Sequence, residues 1–131
     1  MRRFGVSLET ELLDQLDGLV KARRLPSRSE AIRHLVREHA AQDEWASGED
    51  VAACVVLVYD HHRRDLLTRM TELQHEHQPL ILASQHVHLN HALCLESVLL
   101  RGPAPQVQAL ADALCALKGM HHGQLVRSSL E

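Results

Sequence analysis

The chain has 131 residues, of which 45% are hydrophobic and 24% charged. That fits one ordinary domain or two small ones and excludes a disordered polymer. Only 2% is aromatic and the net charge is −3, so stacking on single-stranded nucleic acid is disfavoured and the chain as a whole shows no basic signature, while 11 histidines stand out.

Residues 3–8, RFGVSL, alternate. Phe4, Val6 and Leu8 fall on one side and Arg3, Gly5 and Ser7 on the other, the pattern of a half-buried strand. Ser7 is placed to cap a following helix, with Glu9 and Glu11 near its positive end. Leu12, Leu16, Leu19 and Val20 share one face of that helix, which Pro26 ends. A capping box, Ser27 with Glu30 three residues on, opens a second helix that runs to about Gln42. One short strand and two helices cannot bury a core alone, and a lone strand leaves its ladder groups unpaired. The segment is expected to dimerise strand to strand. Such a two-stranded ribbon fits the DNA major groove, with Arg3 facing guanine edges and Ser7 a base or phosphate. Ser27, Arg28 and Ser29 would offer helix N-terminal N–H groups to a phosphate.

Asp43 to Asp50, DEWASGED, has the composition of a linker. Val51 to Tyr59 is a near-continuous apolar run, expected of a strand buried on both faces or centrally placed. Asp60 can cap a helix bearing Leu66, Met70 and Leu73. Leu80 to Leu89 and Leu95 to Leu100 read as strands. A helix carrying Val107, Leu110, Ala111, Leu114 and Cys115 follows, terminated by Gly119, and His122 to Ser128 reads as the last strand. The order βαββαβ is ferredoxin-like, with the first and third strands central. The expected fold class is α+β, with an N-terminal β-α-α unit over residues 1–44, a linker over 45–50 and a second domain over 51–131. No basic start leads into an apolar segment, so neither signal peptide nor membrane span is expected, and a reducing cytoplasm fits.

The chemistry concentrates in QHVHLNHALC, residues 85–94. His86 and His88 are two apart and share a face of a strand. Cys94 can join them only if the chain turns at LNHAL, where Asn90 suits a turn. Three imidazoles and a thiolate would hold Zn, Ni, Co or Cu. His75 and His77, at the end of a helix, are candidates for the missing ligand. His61 and His62 read as solvated, His121 and His122 as structural, and Cys54 and Cys115 as small core residues. A Cys–His pair could be nucleophilic, but no oxyanion donor or third orienting group accompanies it. A closed four-ligand site also leaves no position for a metal-bound water. Sensing is expected rather than catalysis.

RSEAIR in the first half, the histidine of TELQHEH, and HVHLNHALCLE together resemble the nickel-responsive repressors of the NikR family, over essentially the whole chain. The resemblance implies a ribbon–helix–helix unit, forming an intertwined dimer, and an ACT-like C-terminal domain that builds a homotetramer, a dimer of dimers. It implies Ni(II), about one per chain, bound in a plane by His86, His88 and Cys94 of one subunit and His75 of another. Gln74 and Glu96 would orient the ligands. Metal binding would favour an arrangement that reads palindromic half-sites of a double-stranded DNA operator, and the genes controlled would serve nickel uptake. Two positions depart from the family. Gly5 stands where a hydroxyl residue usually reaches a base from the ribbon. His34 stands where an acid, with the acid matching Glu30, helps hold a second cation between the domains, and neutral imidazole is a poor ligand for a hard cation such as potassium. The competing readings are the same build answering Co, Cu or Zn, and a metal-storage protein without operator binding.

Overall fold

The computed structural model describes residues 1–128 and residue 130. The chain divides into two compact units, residues 1–39 and residues 40–131.

The first unit carries α1 (Thr10–Ala22) and most of α2 (Arg28–Ser47). Residues 1–9 form no ladder within the single chain, as a lone strand must. Phe4 and Val6 stay exposed and α1 buries no residue. The apolar side chains of this unit instead line an open groove, with Phe4, Val6, Leu8, Leu12, Leu16 and Leu35 on its walls. Ser27 caps α2 as expected, its Oγ accepting the Glu30 backbone N–H at 3.2 Å. Ser7 does not cap α1. That helix starts at Thr10, after Glu9, and no side chain bonds its end.

Residues 43–47 do not form a linker. They continue α2 to Ser47, because Ala46 and the residues before it are helix-compatible and the end of the helix is anchored. Trp45 donates from Nε1 to the Ser128 carbonyl at 3.2 Å, and the Arg127 guanidinium lies 5.0 Å from its ring centroid. Gly48, at φ +79°, ends the helix.

The second unit folds as βαββαβ, from β1 (Asp50–Asp60), α3 (Arg64–Glu76), β2 (Ile81–His88), β3 (Leu93–Pro103), α4 (Ala104–Cys115) and β4 (Met120–Ser128). A single 3-10 turn, Gln78–Leu80, leads into β2. The sheet order is β2-β3-β1-β4, all antiparallel, so the first and third strands are central. Asp60 does not cap α3. It closes the turn after β1, where its side chain accepts the His62 N–H at 2.9 Å, and α3 begins at Arg64. Gly119 lies in the turn beyond α4 at φ +93°, where its missing Cβ leaves room for the Arg63 guanidinium.

One face of the sheet is covered. Val51, Val55, Leu57, Val98 and Leu100 are buried with Leu66, Val107, Leu110 and Leu114 of the helices. β1 is not buried on both sides, however. Ala52, Cys54, Val56 and Val58 alternate onto the other face and are only half-buried, beside the exposed Leu99 and Val126.

Candidate metal centre

Two turns at one end of the sheet build the site. The β2–β3 hairpin closes at Asn90, whose Oδ1 accepts the backbone N–H groups of Ala92 and Leu93, each at 2.8 Å. The Leu89 N–H donates to the Leu93 carbonyl at 2.8 Å. This geometry sets His88 directly opposite Cys94 and His86 opposite Glu96. Opposed residues of a ladder share a face, so all four side chains lie on one side of the sheet. His91 sits exposed in the turn.

The second turn follows β1. The His61 N–H donates to the Ala92 carbonyl at 3.0 Å, which holds His61 against the hairpin. The adjacent histidines differ in burial although their ring centroids stay 4.1 Å apart. His62 is exposed, its Nδ1 3.2 Å from Asp60. His61 is half-buried, its ring 4.7 Å from that of His88. Its Nε2 is buried with no hydrogen-bond partner. Reading His61 as solvated was therefore wrong. His61 is drawn toward the hairpin by its backbone hydrogen bond to Ala92, while His62 stays at the surface beside Asp60.

His61, His88 and Cys94 place one ligand atom each within 4.8 Å of one another. His86 stands one step farther along the strand, with its ring 6.2 Å from that of His88, and outside this group. His75 is exposed near the end of α3 and also outside it, beside a shallow groove lined by Gln74, Gln78 and Ser84. His77 turns back onto its own helix, its Nδ1 2.9 Å from the Leu73 carbonyl.

Beneath the hairpin lies a buried polar network. Glu96 takes the Tyr59 hydroxyl on Oε1 and the Gln74 amide on Oε2, both at 2.9 Å. Burial first, and the Glu96 carboxylate second, push the Tyr59 phenol above its ordinary range. Burial likewise raises the Cys94 thiol, aided by the negative charges of Glu96 and Asp60. A cation against the sulfur would offset those charges and favour thiolate. Imidazole nitrogens and a buried thiol form a borderline-soft donor set that suits a late first-row metal and not a hard cation. The donors present thus fit nickel.

The description "NikR C terminal nickel binding domain" matches residues 52–128, and "Ribbon-helix-helix protein, copG family" matches residues 2–43. The chain belongs to the NikR family. Its relatives include proteins named "Putative nickel-responsive regulator" from Nitratidesulfovibrio vulgaris and Chlorobaculum tepidum. The first is 49% identical, over 94% of this chain and 89% of its own length. The second is 44% identical, over 98% and 96%. An uncharacterised protein from Thermotoga maritima shares the fold alone, at TM-score 0.55 and 18% identity, covering 63% of this chain and all of that one. This NikR-family chain is therefore a nickel-binding transcription regulator and not an enzyme. No helix among its described residues is long and apolar enough to cross a membrane.

The residues singled out for DNA lie in the first unit. Arg3, Gly5 and Ser7 are exposed in the irregular N-terminal segment. Ser27 is the cap, Ser29 is exposed, and Arg28 makes a paired contact with Asp17 at 2.8 and 3.0 Å. Glu30 pairs with Arg33, while His34 Nε2 meets Arg23 and lies 3.2 Å from Glu38.

Proposed function

We propose that the protein is a nickel-dependent repressor that binds a double-stranded operator as a homotetramer. The observation that carries this is the register of the β2–β3 hairpin, His88 against Cys94 with His86 two residues along the same face. Those three donors would come from one subunit and His75 from a neighbour, about one nickel ion per chain. His75 is exposed, as a ligand offered to another copy must be. Glu96 would hold the hairpin's underside while Gln74, next to His75, ties that helix to the same carboxylate.

Two open apolar surfaces support the assembly. The groove of the first unit would be filled by the same groove of a second copy, pairing residues 3–8 as a ribbon in the major groove. Arg3 would read base edges, and Arg28 with the α2 N-terminus would meet phosphate. The half-buried face of β1 and its neighbours would pack between dimers. Nickel can favour the operator-binding arrangement only through its higher affinity for it, and a ligand set completed across subunits supplies that difference. Control of nickel uptake rests on family membership, and a DNA-binding regulator with a free thiol ligand belongs in the cytoplasm. In this reading no hard cation is assigned to Glu30 and His34, whose partners are Arg33 and, for His34, Glu38 with Arg23.

The test is fluorescence anisotropy of labelled DNA from upstream of the protein's own gene, at stated salt, with and without Ni(II). Tight binding should require nickel and be lost in Cys94→Ala, together with the thiolate-to-nickel absorption band. Equal binding with and without nickel would overturn the proposal.

A further inference from the structure

The far end of α2 is held by contacts that its own sequence does not supply. The helix has 20 residues, a rod of about 30 Å. Arg28 opens it in the first unit, and its residues 40–47 belong to the second. Composition permits that end to be helical, but its charges oppose it. Glu44 lies in the last turn with Asp43 just before it, at the negative end of the helix dipole, and the last turn carries no basic residue. Arg127 brings the missing cation from β4, its guanidinium 5.0 Å from the Trp45 ring centroid. That guanidinium also donates to Gln108 Oε1 at 2.7 Å, and the Gln108 amide donates to Asp112 at 2.8 Å, so α4 sets its position. Trp45 donates to the Ser128 carbonyl, and the buried Glu44 carboxylate accepts the Leu130 N–H at 3.3 Å. Just past the helix, the Ala104 N–H donates to the Glu49 carbonyl at 3.0 Å. These contacts gather where Ser128 pairs with Ala52, at the other end of the sheet from the Tyr59–Cys94 rung.

We propose that Trp45 and Arg127 form a latch that positions the DNA-binding half for operator contact. The inference rests on the operator-binding reading above. Two ribbon–helix–helix dimers on one operator bind as a linked pair, and the second contact is strong only if the connection has a repeatable length and direction. A latched α2 is a stiff connection. Unlatched, its last turns fray, since a helix end without partners opens readily. The latch therefore fixes which spacing between half-sites is read, while nickel capture proceeds without it. Trp45 and Arg127 are positioning residues in this scheme and touch neither DNA nor metal.

The experiment compares full-length wild type, Trp45→Ala, Arg127→Ala and Arg127→Lys. DNA from upstream of the gene is set against a copy with five extra base pairs at the operator's centre, about half a helical turn. With nickel, wild type should prefer the native spacing. Both Ala variants should bind native DNA at least about tenfold more weakly and lose most of that preference. Arg127→Lys, which keeps the cation but not the fork to Gln108, should fall between. Amides of residues 40–47 should exchange at least about tenfold faster in both Ala variants, with those of β1 and β3 unchanged. Every variant should keep the thiolate-to-nickel band, which also shows that the second unit is folded. Wild-type affinity and spacing preference in both Ala variants would overturn the inference. So would loss of the nickel band, because the contacts would then only hold the second unit together. A wild type that ignores the operator with nickel would sink the operator reading and the positioning role with it, whereas variants that bind as wild type does sink the positioning role alone.

Discussion

Replacing Tyr59 by Phe isolates the network under the metal hairpin. The hydroxyl donates to Glu96 Oε1 at 2.9 Å, and both residues are buried, Tyr59 at 4% and Glu96 at 9% exposure. The ring and its packing survive the change, so no cavity beyond one oxygen forms. What is lost is a hydrogen bond to a charged acceptor, worth about 1.5–3 kcal/mol when its partner stays buried. Gln74 still holds the other carboxylate oxygen, which keeps Glu96 from being fully orphaned and points to the lower half of that range. We expect Tyr59→Phe to cost about 2 kcal/mol in urea unfolding of the apo-protein at fixed subunit concentration, with an unchanged denaturant slope. A cycle with Glu96→Gln should recover a coupling of at least about 1 kcal/mol. A loss below about 0.5 kcal/mol would refute the reasoning, since it would mean that water already serves the carboxylate.

Tyr59 is the only tyrosine, so its ionisation can be followed cleanly by ultraviolet absorbance. Burial and Glu96 raise its folded pKa, so above the unfolded value of about 10 the folded state binds more protons than the unfolded one. The stability it contributes is intact below that pH and lost as pH climbs toward the folded value, and phenolate should appear together with unfolding. A reversible titration near 10 in the folded protein would contradict this. Asn90→Ala removes the acceptor for two turn N–H groups and should cost about 1–2 kcal/mol in the same urea assay, while weakening nickel more than a surface change such as Gln106→Ala. Gly123→Ala would place a Cβ 2.8 Å from Cys115 Sγ and 3.1 Å from its Cα, an overpacking that should destabilise by about 1–3 kcal/mol in thermal melts, relieved in part by adding Cys115→Ala.

The strand order could be read from the chain because Val51 to Tyr59 is a near-continuous apolar run and Leu95 to Leu100 is broken only by Glu96 and Ser97. The capping box at Ser27 could be read because it depends on residues three apart. Features set by distant partners could not. DEWASGED looked like a linker, since nothing local says that Trp45 meets Ser128 and Arg127 across 83 and 82 positions of chain. Ser7 and Asp60 are competent caps by type, but the first helical turns fall at Thr10 and Arg64, beyond their reach. In the site, the pairing of His88 with Cys94 followed from a two-residue period and one Asn. His61 was missed because its place depends on a hydrogen bond to Ala92, and because an adjacent histidine masked any pattern.

The aromatic poverty of the chain has a use. Its one tryptophan and one tyrosine sit near opposite ends of the same sheet, Trp45 by Ser128, which pairs with Ala52, and Tyr59 by Cys94. Seven residue steps along β1, from Ala52 to Tyr59, separate those two rungs, about 23 Å of strand. Indole fluorescence and phenol absorbance are thus native probes of two distant corners, with no label added. If the sheet melts as one cooperative body, the two signals will trace a single curve. If they separate, the order in which they change will show whether the metal end or the helix-anchoring end lets go first.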